Sequence, residues 1–307
     1  MVQGSLCLKN GVLYVGRHAK TAAVASYDLD GHALETRFAF RDAESGRSSV
    51  EGLSVDDDHR IWVADAGSAR LRGFTLFGQE VAVVGAEEDS QEDLPGSIGI
   101  PMDVVARGAD DTLEILVASR GVRRHALQVL FPETGRSHSL RPLGDPRGSF
   151  QDVVSIACAG DQTWACERRA RRVQVFRHGD FYFSFQLPAA GGYLEPAAVA
   201  ALEDGRSIVA VCAPVSALLL VDSSGQVLRT LAAGDRSSSA APHEEAAAPA
   251  PEAVPEGTVR FPTGVVVESG ARDRDTRLAV IDCDAERVQV FNLEGTCYGA
   301  FTDLPTF

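Results

Sequence analysis

Short runs of apolar residues, separated by turn residues, recur along the whole chain in one repeated order. In the clearest unit, VEGLSV at residues 50–55 leads to IWVAD at 61–65, LRGF at 71–74 and the turn FGQ at 77–79. Each run alternates or is wholly apolar over four to six residues and is bounded by Gly, Asp, Asn or Ser. This pattern is typical of β-strands joined by tight turns. We therefore predict an all-β chain built from repeats of four strands.

A turn glycine stands before the fourth run of each unit and gives the length of the repeat. These glycines lie 44 to 57 residues apart, except for a last step of 70 residues, at Gly31, Gly78, Gly135, Gly179, Gly225 and Gly295. The long step contains residues 237–257, an Ala-, Pro-, Ser- and Glu-rich tract whose composition is typical of an inserted flexible loop. Six units of four antiparallel strands predict a six-bladed β-propeller, in which neighbouring blades bury the faces of the inner strands.

We predict that residues 1–307 form one domain. The six blades are expected at residues 5–40, 48–85, 98–144, 148–188, 193–233 and 258–304. Because the first and the last unit both contain four runs, we expect the ring to close edge to edge, without exchange of a terminal strand.

Three motifs in these units resemble the repeat of the NHL family of six-bladed propellers. FPTG at 261–264 is similar to its apolar-Pro-x-Gly opening, WVAD at 62–65 to its second run, and RVQVF at 287–291 to its Arg-apolar-Gln-x-Phe run. The resemblance extends over nearly the whole chain and is weakest in the first and fifth units. It implies an NHL-like propeller that presents loops to a partner.

The net charge of the chain argues against some classes of binding partner. Lys and Arg total 29 against 43 for Asp and Glu, which gives a formal net charge of −14. Such a balance argues against general affinity for phosphate backbones or anionic membranes, so neither nucleic acid nor a membrane is expected as a partner. No signal-like segment begins the chain and no apolar run reaches the roughly 20 residues of a membrane helix. We therefore expect a cytoplasmic protein, or one whose signal sequence has been removed, and we expect a monomer.

The common catalytic motifs are absent. The six cysteines form no C-x-x-C pair and are expected to be small core residues, and the histidines do not have the spacing of a local zinc pair. There is also no nucleophile elbow, P-loop or dinucleotide fingerprint. The sequence therefore names no reaction and no required cofactor.

Acidic residues stand at the start of four consecutive units, where the inner strands of a propeller begin at the channel entrance. They are Glu51, Asp103, Asp152 and Glu195. Carboxylates gathered around one axis repel each other unless a cation, protons or arginines intervene, and oxygen ligands suit calcium or magnesium. A divalent cation site is one interpretation, and solvated acids in a water-filled channel are the other. Glu51-Gly52 is also similar to the Glu-Gly opening of the gluconolactonase and senescence-marker propellers, a resemblance that implies a metal near the channel.

Arginines cluster in the connections between the second and third strands of two adjacent units. They are Arg120, Arg123 and Arg124 in one unit and Arg168, Arg169, Arg171 and Arg172 in the next. These connections open on the channel-entrance face, where arginines would recognise an anionic group. The alternative is pairing with nearby acids, such as those of the loop at 87–93.

Two functional hypotheses remain open from the sequence. The first is a non-catalytic scaffold whose entrance face binds a protein or an anionic small molecule, with Arg120, Arg123, Arg124, Arg168, Arg169 and Arg171 as the binding residues. The second is a metal-dependent hydrolase or lyase of the gluconolactonase-like kind, with the four channel acids as ligands of a calcium or magnesium ion.

Overall fold

The structure is a computed structural model that describes residues 3–18, 21–43, 46–85, 96–121, 126–141, 150–234, 255–302 and 304. In this part of the chain, 26 strands form six four-stranded antiparallel sheets and one two-stranded hairpin. The predicted six-bladed propeller with four-stranded antiparallel blades is thus confirmed.

The first three blades follow one another along the chain. The first consists of β1 (Gln3–Lys9), β2 (Val12–His18), β3 (Ala22–Tyr27) and β4 (Ala33–Phe40). The second consists of β5 (Gly52–Val55), β6 (Ile61–Asp65), β7 (Arg70–Phe74) and β8 (Glu80–Val84). The third consists of β9 (Ile100–Arg107), β10 (Glu114–Arg120), β11 (Leu127–Phe131) and β12 (Arg136–Ser139).

The last three blades have the same strand order. The fourth consists of β13 (Val153–Ala159), β14 (Gln162–Glu167), β15 (Arg172–Arg177) and β16 (Asp180–Phe185), and the hairpin β17 (Pro188–Ala189) and β18 (Gly192–Tyr193) follows it. The fifth consists of β19 (Glu195–Ala201), β20 (Ser207–Ala213), β21 (Ser216–Val221) and β22 (Val227–Gly234). The sixth consists of β23 (Pro262–Glu268), β24 (Arg277–Asp282), β25 (Arg287–Phe291) and β26 (Cys297–Phe301).

The first strand of each blade lies at the centre of the ring. Each of these inner strands contacts the inner strands of both neighbouring blades, and β23 of the sixth blade contacts β1 of the first. The first and sixth blades each keep four strands of their own. The ring therefore closes edge to edge, as the sequence predicts.

The core consists of apolar clusters shared between neighbouring blades. Between the second and third blades, Trp62 and Leu71 are buried in one cluster with Ile115 and Val117. A corresponding cluster lies between each of the other five pairs of neighbours, including the sixth and first blades. The second strands are buried on both faces for this reason, as in β6, where every residue is buried. Each blade thus removes its apolar faces from water only with the help of its neighbours.

The acid at the end of the second strand anchors the chain that enters the same blade. Asp282 is fully buried and accepts hydrogen bonds from the backbone N–H groups of Arg260, at 2.9 Å, and Phe261, at 2.7 Å. Asp65 accepts a corresponding bond from the N–H of Ser49 at 2.7 Å. The repeated acid is therefore structural, because it satisfies buried backbone donors of an irregular segment.

The glutamine of the third strand binds the same connections. Gln289 is fully buried, accepts a hydrogen bond from the N–H of Gly257 at 2.9 Å, and donates to the carbonyl of Thr258 at 2.7 Å. Gln128 makes the equivalent pair of bonds with the backbone of residues 96 and 97. The polar positions of the repeat motif thus stabilise the connections between blades.

Few other features of the fold bear on the site. All six cysteines are free, and Cys166, Cys212 and Cys283 are buried, in keeping with the expectation of core residues. The one helical segment in the described residues is the short 3-10 helix at Asp110–Thr112. No helix found there has the length and apolar character needed to cross a membrane.

Replacing Asp282 by Ala should lower the free energy of unfolding by about 2–4 kcal/mol, because two buried N–H donors lose their acceptor. Urea unfolding measures this change. The matched control is Asp284→Ala, two residues away and exposed, which should change stability by less than about 0.5 kcal/mol. Equal effects of the two substitutions would contradict the anchoring role.

Candidate functional site

A cavity of about 310 Å³ occupies the central channel and is lined by all six blades. Its wall includes one polar or small residue from each blade, namely Ser5, Glu51, Asp103, Ser155, Ala200 and Thr263. We call the end of the channel where the inner strands begin the entrance face, and the other end the opposite face. The cavity and the entrance face together are the candidate functional site.

Two of the four predicted metal ligands, Glu51 and Asp103, line this cavity. Glu51 directly precedes β5, and its N–H donates to the carbonyl of Ala64 at 3.1 Å. The next residue, Gly52, lies so close to the third blade that a Cβ atom there would stand 2.5 Å from the Cα of Asp103. The absence of a side chain at Gly52 therefore lets the second and third blades approach each other at the level of Asp103.

The Asp103 carboxyl links the third and fourth blades. Its Oδ2 accepts a hydrogen bond from the N–H of Ile156 at 2.8 Å, its Oδ1 accepts one from the N–H of Val104 at 2.8 Å, and Ser155 is a further side-chain partner. Burial nevertheless outweighs these bonds and raises the pKa of Asp103 from 3.8 to about 7. Asp103 thus exchanges its proton near neutral pH.

Serine hydroxyls make similar links between neighbouring inner strands. The Oγ of Ser54 accepts a hydrogen bond from the N–H of Ala106 at 2.9 Å, and the Oγ of Ser155 accepts one from the N–H of Val199 at 3.3 Å. Asp103, Ser54 and Ser155 therefore hold neighbouring inner strands together.

Asp152, the third predicted ligand, is paired with arginine. It precedes β13 in a left-handed backbone conformation with φ of 62°, and its Oδ1 accepts bonds from Nη2 and Nε of Arg120 at 2.7 and 3.1 Å. The Nε of Arg169 lies 3.9 Å from its other carboxylate oxygen. The pair with Arg120 joins the third and fourth blades at the entrance face.

Glu195, the fourth predicted ligand, forms an ion pair with Arg171, whose Nη2 lies 3.0 Å from Oε1. The structure thus pairs two of the four predicted acids with two of the predicted arginines, each across two blades. In the part of the chain that the structure describes, the buried Nε of Arg168 has no hydrogen-bond partner. Arg123 and Arg124 lie outside the described residues, so their part in the arginine cluster stays a prediction.

A different group of residues has the spacing of metal ligands. Among the described residues, ligand atoms of three His, Cys, Asp or Glu side chains lie within 4.8 Å of one another only at Asp28, Asp30 and His32. This group forms the β3–β4 turn on the opposite face, where Asp28 accepts hydrogen bonds from the N–H groups of Asp30 and His32. These bonds are those of a turn-forming aspartate. The divalent site of the four channel acids stays a prediction.

Three apolar side chains exposed on the entrance face are not among the residues predicted from the sequence. Tyr193 belongs to the hairpin β17–β18 and is 44% exposed, Val215 follows β20 and is 49% exposed, and Ile100 begins β9 and is 44% exposed. The glycine pair at 191–192 is a hairpin signal and would have indicated the extra element. The exposure of the three side chains depends on the packing of the loops, and no sequence motif indicates it.

Comparisons with known proteins give similarity in structure alone. None of the protein-family models matches the chain, and none of the curated proteins does. The propeller is similar to a structure of the nidogen/laminin complex, with 13% identity, coverage of 94% of this chain and 92% of that chain, and a TM-score of 0.59.

Two bacterial enzymes have similar structures. Inactive virginiamycin B lyase from Staphylococcus aureus with quinupristin is 12% identical, with coverage of 99% of this chain and 89% of that chain and a TM-score of 0.58. A gluconolactonase from Xanthomonas campestris is 12% identical, with coverage of 95% and 82% and a TM-score of 0.55.

These similarities place the chain among six-bladed β-propellers, a class whose members named above differ in function. Identities of 12–13% establish the fold alone. No family model supports the more specific prediction of NHL-family membership.

The raised pKa of Asp103 predicts a pH dependence of stability. The contribution of the Asp103 carboxyl to the stability of the fold is fully present below about pH 4 and is lost as the pH rises through about 7. At higher pH the folded state holds an ionised carboxylate away from water. Urea unfolding across this range should show the stability of the wild type falling relative to Asp103→Asn, by at most about 1.4 kcal/mol per pH unit. A difference that stays constant or grows with pH would contradict this assignment.

Proposed function

We propose that this propeller is a non-catalytic scaffold that binds a protein or an anionic small molecule through its entrance face. The observation that supports this proposal is the combination of exposed apolar side chains with arginines over the third, fourth and fifth blades. Tyr193 and Arg171 are examples of the residue types that contribute most to binding at protein interfaces.

The apolar residues are adjacent to the ion pairs. Ile100 pairs with Arg120 in the β9–β10 ladder, and Tyr193 precedes Glu195 by two residues. Glu195 in turn pairs with Ala213 of β20, two residues before Val215. Each exposed apolar residue is therefore at most two residues along a strand or hairpin, and one strand pairing, from an ion-paired position. Charged groups already held in ion pairs lower the entropic cost of binding.

Arg169 is accessible to a partner. Its side chain is 81% exposed, and its ion-pair contact, with Asp152, is long at 3.9 Å. A guanidinium with this freedom can form a bidentate pair with a carboxylate or phosphate. We expect the partner to carry an anionic group next to an apolar segment. The similarity to a structure of a protein complex, nidogen/laminin, favours a protein partner.

The double substitution Tyr193→Ala with Arg169→Glu should leave folding intact and weaken partner binding by about 30-fold or more, because it removes an aromatic anchor and reverses a charge. The measurement has two steps: affinity capture from the native cell extract with quantitative mass spectrometry, then calorimetric titration of the captured partner. The matched control is Phe77→Ala, since Phe77 is 83% exposed at the β7–β8 turn on the opposite face. Capture that is unchanged in the double variant, or reduced equally in the control, would contradict the proposal.

A second candidate function is a metal-dependent hydrolase or lyase of the gluconolactonase-like kind. The observation that favours it is the location of Glu51 and Asp103 in the channel cavity, together with a pKa of Asp103 of about 7, which suits a general base. A calcium or magnesium ion would be the cofactor. The similar structures of a lyase and a gluconolactonase agree with this candidate.

Thermal melting with added metal ions distinguishes the two candidates. Protein treated with a chelator is melted with calcium, magnesium, manganese or zinc added singly. A divalent site filled at about 100 times its Kd would stabilise the fold by about 2.7 kcal/mol and raise Tm. The scaffold proposal predicts that none of the metals changes Tm, and a rise with calcium or magnesium would favour the enzyme instead.

A further inference from the structure

Asp103 faces the channel cavity without a cationic partner. Within the described part of the chain its hydrogen-bond partners are the N–H groups of Val104 and Ile156 and the side chain of Ser155, and no Lys, Arg or His forms an ion pair with it. Lys9 also lines the cavity, but its ammonium group lies 2.5 Å from Asp57. A carboxyl group removed from water in this way favours a positive charge in the adjacent space.

The wall of the cavity is polar and apolar in about equal measure, and valines form part of its apolar side. Val105, Val154, Val199 and Val266, which come from four different inner strands, line the same cavity. A ligand that matches this wall has one cationic group and an alkyl part. The combination of a few polar groups with an apolar wall is typical of sites for small organic molecules.

The size of the cavity also favours a molecule over a bare ion. Its volume of about 310 Å³ is roughly ten times the volume of a water molecule in the liquid. Calcium needs six to eight oxygen ligands. In the described residues, no three His, Cys, Asp or Glu ligand atoms come within 4.8 Å of one another at the channel.

We propose that the central channel binds a small organic cation, an alkylammonium compound, with its ammonium group against the Asp103 carboxylate and its alkyl chain against the valine-lined wall. The site lies inside the ring and does not depend on the partner proposed for the entrance face.

Nuclear magnetic resonance of the wild-type protein tests the site without a substitution. The probe is n-butylammonium chloride, and the matched uncharged probe is 1-butanol, which has the same number of heavy atoms. The amide resonances of Val104 and Ile156, whose N–H groups donate to Asp103, should shift with n-butylammonium in a saturable way. They should shift much less with 1-butanol and not at all with sodium chloride of equal ionic strength.

Two substitutions test the recognition groups. Asp103→Asn should weaken n-butylammonium binding at least tenfold, or about 1.4 kcal/mol, by removing the carboxylate charge. Val105→Phe should abolish binding by filling the cavity, and it remains informative if Asp103→Asn fails to fold. Asp161→Asn is the control, because it removes an exposed carboxylate at the β13–β14 turn on the opposite face and should leave the affinity unchanged.

Several results would overturn the proposal. One is the absence of any saturable shift with n-butylammonium, and another is equal binding of n-butylammonium and 1-butanol. Full affinity in Asp103→Asn would also overturn it. If the same amides shift with calcium or magnesium but not with n-butylammonium, the channel binds a metal ion and the proposal of an organic cation is wrong.

Discussion

The structure depends on one constraint, which is that no blade can remove both of its apolar faces from water by itself. Trp62 of the second blade is buried only because the third blade covers it, and the cluster that joins the sixth and first blades completes the same arrangement. The inner strands reinforce this packing through polar links such as Asp103 to Ile156 and Ser54 to Ala106. The closed ring fixes the channel and brings residues from distant parts of the sequence to its two ends.

Charge is distributed differently at the entrance and inside the channel. At the entrance, Asp152 and Glu195 form ion pairs with Arg120 and Arg171, and the apolar side chains of Ile100, Tyr193 and Val215 are exposed on the same face. Inside the channel, the hydrogen-bond partners of Asp103 in the described part of the chain are the N–H groups of Val104 and Ile156 and the side chain of Ser155. The propeller thus has two chemically distinct surfaces: an entrance face with exposed apolar side chains and arginines, and a cavity whose wall contains Glu51 and Asp103 as well as valines.

The fold could be predicted from the sequence because its determinants are local and repeated. Strand alternation and turn glycines such as Gly78 and Gly225 recur at a nearly constant spacing, and the four-stranded blades follow from them. The site was predictable only in part. The positions of Asp152 and Arg120 within their repeats predict that both lie at the entrance. Their ion pair depends in addition on side chains that extend from one blade to the next. The acid and glutamine of the motif, such as Asp282 and Gln289, have a structural role that becomes visible only with their backbone partners.

The mutual dependence of the blades can be measured with the two tryptophans, Trp62 in the second blade and Trp164 in the fourth, both of which are buried. In Trp164→Phe the remaining tryptophan reports on the second blade. In Trp62→Phe the remaining tryptophan reports on the fourth blade. In a closed ring whose faces are all shared, each single-tryptophan variant should show one urea transition by fluorescence that coincides with its own loss of β-structure by circular dichroism. A tryptophan signal that changes well before the β-structure of the same variant is lost would show that blades unfold independently, and would contradict the account.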